Sequence, residues 1–240
     1  MRIGSDFDKM EFSWFGLDLL EPNSLLTNSL ITIFAFTFAT LVIRKFPLNQ
    51  AFYRYWKWLF ILQGTSFFLG GLGHVLYTYT GIWGKFVPMV FATGMIMMAE
   101  HAMFTLIPEN RQKLFMSISK IKAVTAITVL LILMFSMDVE NNLPKLLLVP
   151  SLNSTIGYFA TLFFLGWRYG KRISKALYLL PISVLVLIPA AIFQMMKINI
   201  HPWFDRNDVG HLLIIITLCL YYFAIKGYHR DTKGKVTAES

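Results

Sequence analysis

Five ionisable side chains lie in or beside long apolar runs of this sequence: His74, Glu100, His101, Asp208 and His211. A charged or imidazole side chain in hydrocarbon is costly, so each one signals a polar cavity, a partner or a reaction. Asp208 and His211 are spaced i, i+3, and Asn207 and His211 i, i+4, so either pair shares one face of a helix. Imidazole and carboxylate converging in a cavity are the ligand types that hold zinc while leaving a position for water, whose pKa then falls toward about 7 and supplies hydroxide for hydrolysis. On this reading His74, His211 and Asp208 are the candidate zinc ligands. Asp208 doubles as base, and Asn207 orients water or a substrate carbonyl. His201 is a further ligand or an exposed loop histidine. The plainer reading of His74 is a core histidine bonded to a neighbouring helix, and that of Glu100 a buried or interfacial carboxylate paired with a basic group of the cytosolic loops, with a proton relay as its alternative.

The elements that carry these groups are long and apolar. The chain has 240 residues, 56% hydrophobic and 15% charged, far more apolar surface than one soluble domain of this length needs to bury. Runs of about 20 apolar residues cross a bilayer core. Seven are read here, at Leu25 to Ile43, Tyr55 to Tyr79, Phe86 to Ile107, Ala123 to Met137, Leu146 to Trp167, Ala176 to Met196 and Val209 to Ile225. The expected fold is an all-α integral membrane protein, a single seven-helix transmembrane domain over residues 1–240, with an arm at 1–23 and a tail at 227–240.

The charges alternate by loop. Arg44, Lys45, Arg54 and Lys57 fill the first connection, Arg111, Lys113, Lys120 and Lys122 the third, and Arg168, Lys171, Arg172 and Lys175 the fifth, while Lys226, Arg230, Lys233 and Lys235 follow the last run. Sixteen of the 22 basic residues thus share one side. The other side has Arg2, Lys9, Lys85, Lys145, Lys197 and Arg206 with nine of the 13 acids: Asp6, Asp8, Glu11, Asp18, Glu21, Asp138, Glu140, Asp205 and Asp208. The positive-inside rule makes the basic side cytosolic, the N-terminus extracytoplasmic and the C-terminus cytosolic. Topology accounts for the net charge of +9 without nucleic acid as partner.

Depth then sorts the ionisable groups. His74 lies roughly 7 Å below the outer end of the second run at 1.5 Å per residue, and Asp208 and His211 enter the seventh from the same side. Glu100 and His101 lie roughly 22 Å down the third, too deep to join them.

Acidic residues 6 to 21 and the lack of a basic start before an apolar run argue against a cleaved signal peptide. Cys219 is the single cysteine, so no intramolecular disulfide or CxxC motif exists. Phe12 to Leu20 reads as an interfacial helix or a disordered arm. Gly70, Gly71 and Gly73 let a neighbour pack against the second helix, and Pro181 and Pro189 kink the sixth. Lys226 stands at the end of the last run, where a retinal Schiff base could not form at mid-membrane.

Seven runs, one histidine late in the second and a polar, histidine-bearing start to the seventh resemble the membrane hydrolase superfamily of alkaline ceramidases, adiponectin and progestin receptors and Per1-type lipid-remodelling proteins. In that superfamily the second-helix histidine and both histidines of an HxxxH motif on the seventh helix bind zinc. The resemblance implies that His74 and His211 are ligands. Asn207 stands at the first HxxxH position, Gly70 where a serine usually precedes the second-helix histidine by four residues, and no acid near Lys85 matches that of the third helix. Three functions are carried forward: a zinc-dependent lipid amidase or esterase with an outer-leaflet site, a metal-free protein that binds or senses membrane lipids, and a proton-coupled transporter using Glu100 and His101.

Overall fold

A computed structural model describes residues 1–138 and 142–236. Glu140, counted above among the acids, and residues 237–240 of the tail lie outside them. Seven helices are long and apolar enough to cross a membrane, which makes the chain a multi-pass membrane protein. They are α1 Pro22–Lys45, α2 Ala51–Val75, α3 Trp83–Phe104, α4 Glu109–Ser136, α5, α6 Leu179–Met195 and α7 Arg206–Val236. Helix α5 runs in three pieces: Leu143–Gly157, a π-helical stretch Tyr158–Leu165, and Gly166–Arg172.

Two expectations are corrected. The fourth run was expected at Ala123 to Met137, but α4 begins at Glu109, directly after Pro108. Nothing between Pro108 and Ala123 stops a helix, so the basic stretch from Arg111 to Lys122 forms its first turns rather than a loop. The segment Phe12 to Leu20 is neither an interfacial helix nor disordered. Strand β1, Glu11–Trp14, pairs antiparallel with β2, Leu17–Leu20, in the register Glu11 to Leu20 and Trp14 to Leu17. Phe15 and Gly16 turn the hairpin with φ of 50° and 76°, the positive values that two-residue hairpin turns require. Asp18 N donates to Tyr79 Oη at 2.9 Å, tying the hairpin to the turn after α2.

The helices close into a ring. Helix α1 packs on α2, α2 on α3, α3 on α5, α5 on α6, α6 on α7, and α7 on α1, while α4 lies outside against α3 and α5. Gly71 allows the close approach of α1 and α2: a Cβ there would lie 3.0 Å from Asn28 Cβ. The ring is filled unevenly. Toward the face where α1 ends, Trp56, Phe60, Leu218 and Tyr221 are wholly or almost wholly buried, with Trp56 against Tyr221 at 5.3 Å between ring centroids and Phe38 stacked on Tyr222 at 5.0 Å. Toward the face where α1 begins, here the amino face, the ring is hollow and polar.

Candidate functional site

The hollow opens at the amino face as a vestibule of about 450 Å³. The start of α1 (Glu21, Asn23), the end of α2 (Gly70, His74), the start of α3 (Lys85, Pro88) and the start of α7 (Asp205 to Asn207) form its walls, and residues Asp6 to Met10 cover it. That cover is fastened to the α6–α7 connection. Arg2 and Asn199 exchange backbone hydrogen bonds at 2.7 and 2.8 Å, and Arg206 clamps Asp6 with two guanidinium nitrogens. Burial alone would raise the Asp6 pKa, but the Arg206 and Asn199 bonds outweigh it and hold the carboxyl below its usual range.

His74 Nδ1 meets Glu21 Oε2 at 2.5 Å, and Lys9 Nζ lies 3.4 Å from the other carboxylate oxygen. Glu21 sits just before Pro22 with φ of 51°, which turns its carboxylate toward α2. Burial would raise its pKa, yet the hydrogen bond and charge of His74, with Lys9 and Lys85, lower it to about 2 from 4.5. The folded pKa lies below the unfolded one, so this carboxylate contributes full stability above about pH 4.5 and loses it as pH falls toward 2. The shift corresponds to about 2–3 kcal/mol for a group so little exposed. The melting midpoint in detergent is therefore expected to fall between pH 4.5 and 2 in the native chain, and Glu21→Gln to lack that portion of the slope. Superimposable pH profiles would show that the pair is not formed.

Beneath the vestibule floor runs a second network. Asp208 is fully buried and accepts from Asn23 Nδ2 and Thr27 Oγ1, both at 2.8 Å, and from the backbone N of Asp205 at 3.0 Å. Thr27 Oγ1 also lies 2.7 Å from His211 Nδ1. With Thr27 donating to Asp208, His211 Nδ1–H donates to Thr27, the assignment that satisfies all three groups and leaves Nε2 with its lone pair. Asp205 in turn accepts from the backbone N of Asn207 and Asp208. Asp205 and Asp208 thus form a reciprocal cap at the start of α7, with an acid in the place that Glu or Gln usually holds. Burial, then the Asp208 charge, push Asp205 above its usual range.

The structure therefore joins Asp208 to His211 through Thr27, holds His74 on Glu21, and turns Asn207 to accept from Gln194 Nε2 at 2.8 Å. Neither Asp208 nor His211 lines the vestibule. His201 stays in its loop, accepting from Trp203 N at 3.1 Å. Far from all of these, Glu100 is buried with Lys122 Nζ at 2.6 Å and accepts from Ser119 Oγ, and Lys122 also donates to Asn153 O at 3.0 Å. A side chain at Gly157 would collide with Glu100 and Ile96. His101 Nε2 donates to Met116 O at 3.3 Å.

Both imidazoles are anchored through Nδ1, as zinc-binding histidines commonly are, but a catalytic site needs three protein ligands. Asp208 has both oxygens engaged, Asn207 bonds Gln194, and among the described residues no three His, Cys, Asp or Glu side chains gather closely enough to share a metal ion. Among the described residues the set of zinc ligands is thus incomplete.

Glu21, Asn23, Thr27 and Lys85 were not singled out from the sequence. Two signals stood there: Asn23 and Thr27, spaced i, i+4 in the first turns of an apolar helix, and Asp205 and Asp208 at cap spacing before the last one.

Fold and site together define a seven-helix multi-pass membrane protein with a lidded polar vestibule at one face. A family of unknown function (DUF6962) matches residues 23–230, and the chain belongs to it. The match takes in every wall of the vestibule from Asn23 onward but not the arm that covers it. No curated protein and no solved structure matches the chain.

Proposed function

We propose that this chain is a metal-free membrane protein that binds or senses lipid, with an anionic lipid headgroup held in the vestibule at the outer leaflet. The orientation follows from the sixteen basic residues on the other side. One observation carries the reading: the vestibule is confined to the amino face, and the opposite half of the ring is closed by the buried side chains of Trp56, Phe60 and Tyr221. A cavity confined in this way holds a ligand. It gives a transporter no path, which sets the proton-coupled alternative behind. The lipid hydrolase reading keeps the resemblance in architecture but lacks a third zinc ligand.

The headgroup's charge is argued from Lys85. Its ammonium faces the vestibule with no ion-pair partner among the described residues, beside the Tyr77 ring at 5.4 Å. Arg206 and His74, by contrast, are each held by a carboxylate. A phosphate would supply the missing acceptor. Protein isolated in lipid nanodiscs formed directly from membranes is expected to retain a phospholipid in roughly stoichiometric amount by native mass spectrometry. Lys85→Gln should reduce retention at least about fivefold, the loss of one charge-assisted hydrogen bond. Equal retention by both would overturn the headgroup assignment, and one zinc per chain by elemental analysis would overturn the metal-free reading.

A further inference from the structure

A second chamber lies inside the ring below the vestibule, with about 280 Å³ of space. It follows the vestibule one helical turn deeper on three helices: Ser66 and Phe67 after Gly70 on α2, Ala92 and Thr93 after Met89 on α3, Pro150 and Ser151 after Leu147 on α5. Gln63 stands twelve residues into α2, roughly 18 Å from its start and near the middle of a hydrocarbon core about 30 Å thick.

The polar groups of this chamber are unevenly satisfied. Ser66 donates its proton to Pro88 O at 2.8 Å, Thr93 to Met89 O at 2.9 Å, Ser154 to Pro150 O at 2.9 Å and Thr217 to Ser183 O at 3.4 Å. Each hydroxyl therefore keeps only acceptor capacity for the interior. Two amides, Gln63 and Asn153, are 3% and 5% exposed, and the side-chain oxygen of each has no hydrogen-bond partner among the described residues. Unpaired amide groups at this depth cost about 1–3 kcal/mol each, so their presence on one chamber calls for an occupant. Apart from Tyr158 and Ser151, whose hydroxyl donates to Leu147 O at 2.7 Å, the rest of the wall, including Phe67, Met95, Ile96, Leu187 and Ile214, is apolar.

We infer that the chamber is a binding site for a small neutral molecule with an apolar body and hydroxyl groups, which pair with Gln63 and Asn153. A hydroxyl both donates and accepts, so it serves an amide from either end, and its proton meets the acceptors of Ser66 and Thr93. A cation is disfavoured because no carboxylate lines the chamber and the Lys122 ammonium already lies on Asn153 O. A space of about 280 Å³ suits a small molecule better than a whole two-chain lipid. The site is independent of the vestibule, where the proposed ligand is anionic.

The test uses a diazirine derivative of octane-1,2-diol, photolysed with the full-length chain in nanodiscs and mapped by peptide mass spectrometry. Labels are expected on α2, α3 and α5 residues of the chamber. Octane-1,2-diol should compete, whereas 1,2-dimethoxyoctane, of the same shape without donors, should compete roughly three- to tenfold less per hydroxyl lost. Gln63→Leu and, separately, Asn153→Leu should each reduce that preference to that of a single hydroxyl, and Lys85→Gln should leave it intact while losing phospholipid. If one leucine variant fails to fold, the other decides. Equal competition by diol and diether, or labels confined to lipid-facing residues such as Ile33 and Phe135, would overturn the proposal and leave a chamber of water only.

Discussion

Lys122→Met alone is expected to destabilise the protein by about 3–5 kcal/mol, because it strands the Glu100 carboxylate, which is only 3% exposed. Glu100→Gln alone should cost less, about 1–3 kcal/mol, since the Lys122 ammonium it leaves unpaired is 22% exposed and keeps its bond to Asn153 O. The double variant, Glu100→Gln with Lys122→Met, is expected to recover most of that loss, since two neutral side chains of similar size need no compensating charge. A double-mutant cycle on unfolding in mixed detergent measures this directly. Additive losses would mean that the two groups act separately, and a proton relay through Glu100 would become the better account. Ser119 bonds the residue at position 100 and Asn153 O accepts from Lys122, but each of these contacts is changed equally in a single variant and in the double one, so both cancel in the cycle.

Asp208→Ala should be the most damaging single change at the amino face. It removes the acceptor of three donors at once, Asn23 Nδ2, Thr27 Oγ1 and Asp205 N, all in or beside a site shielded from water. At about 1–3 kcal/mol for each buried group left unpaired, the loss is about 3 kcal/mol or more. Asp208→Asn is expected to fall between, because its amide offers one acceptor oxygen and turns a donor toward other donors. Yield of monodisperse protein and melting midpoint are the readouts. A variant as stable as the native chain would mean that α1 and α7 are held together elsewhere.

The seven spans were legible because a bilayer imposes a length on every helix, and that length survives in composition without knowledge of any contact. The start of α4 was not, because its first turns carry Arg111, Lys113, Lys120 and Lys122 among Leu114, Phe115 and Ile118, a pattern that reads equally as loop. The hairpin was missed for a different reason. Phe12, Trp14, Leu17 and Leu19 fit a period of two once a turn is placed at Phe15 and Gly16, but an aromatic-rich arm beside a membrane invites the period of 3.6 instead. Within the site, the kinship of Asp208 and His211 was visible in their spacing on one helix. Their common partner Thr27 was not, since which helices touch is set by the closure of the ring, and α1 meets α7 across 181 residues of sequence. The same reason hid Glu21 from His74.

The first and last helices of the ring are neighbours that run in the same direction: Asn23 meets Asp208 near their beginnings, and Phe46, directly after α1, packs on His229 near the end of α7 at 5.1 Å between ring centroids, where Tyr53 of the first turn of α2 also bonds it. Adjacent helices might suggest that the chain could be rejoined end to end and reopened elsewhere. Parallel neighbours forbid it with a short linker, because the start of α1 and the end of α7 lie at opposite ends of the helix bundle. A circular permutant of this protein would need one further helix running the length of the bundle to bring the two ends together.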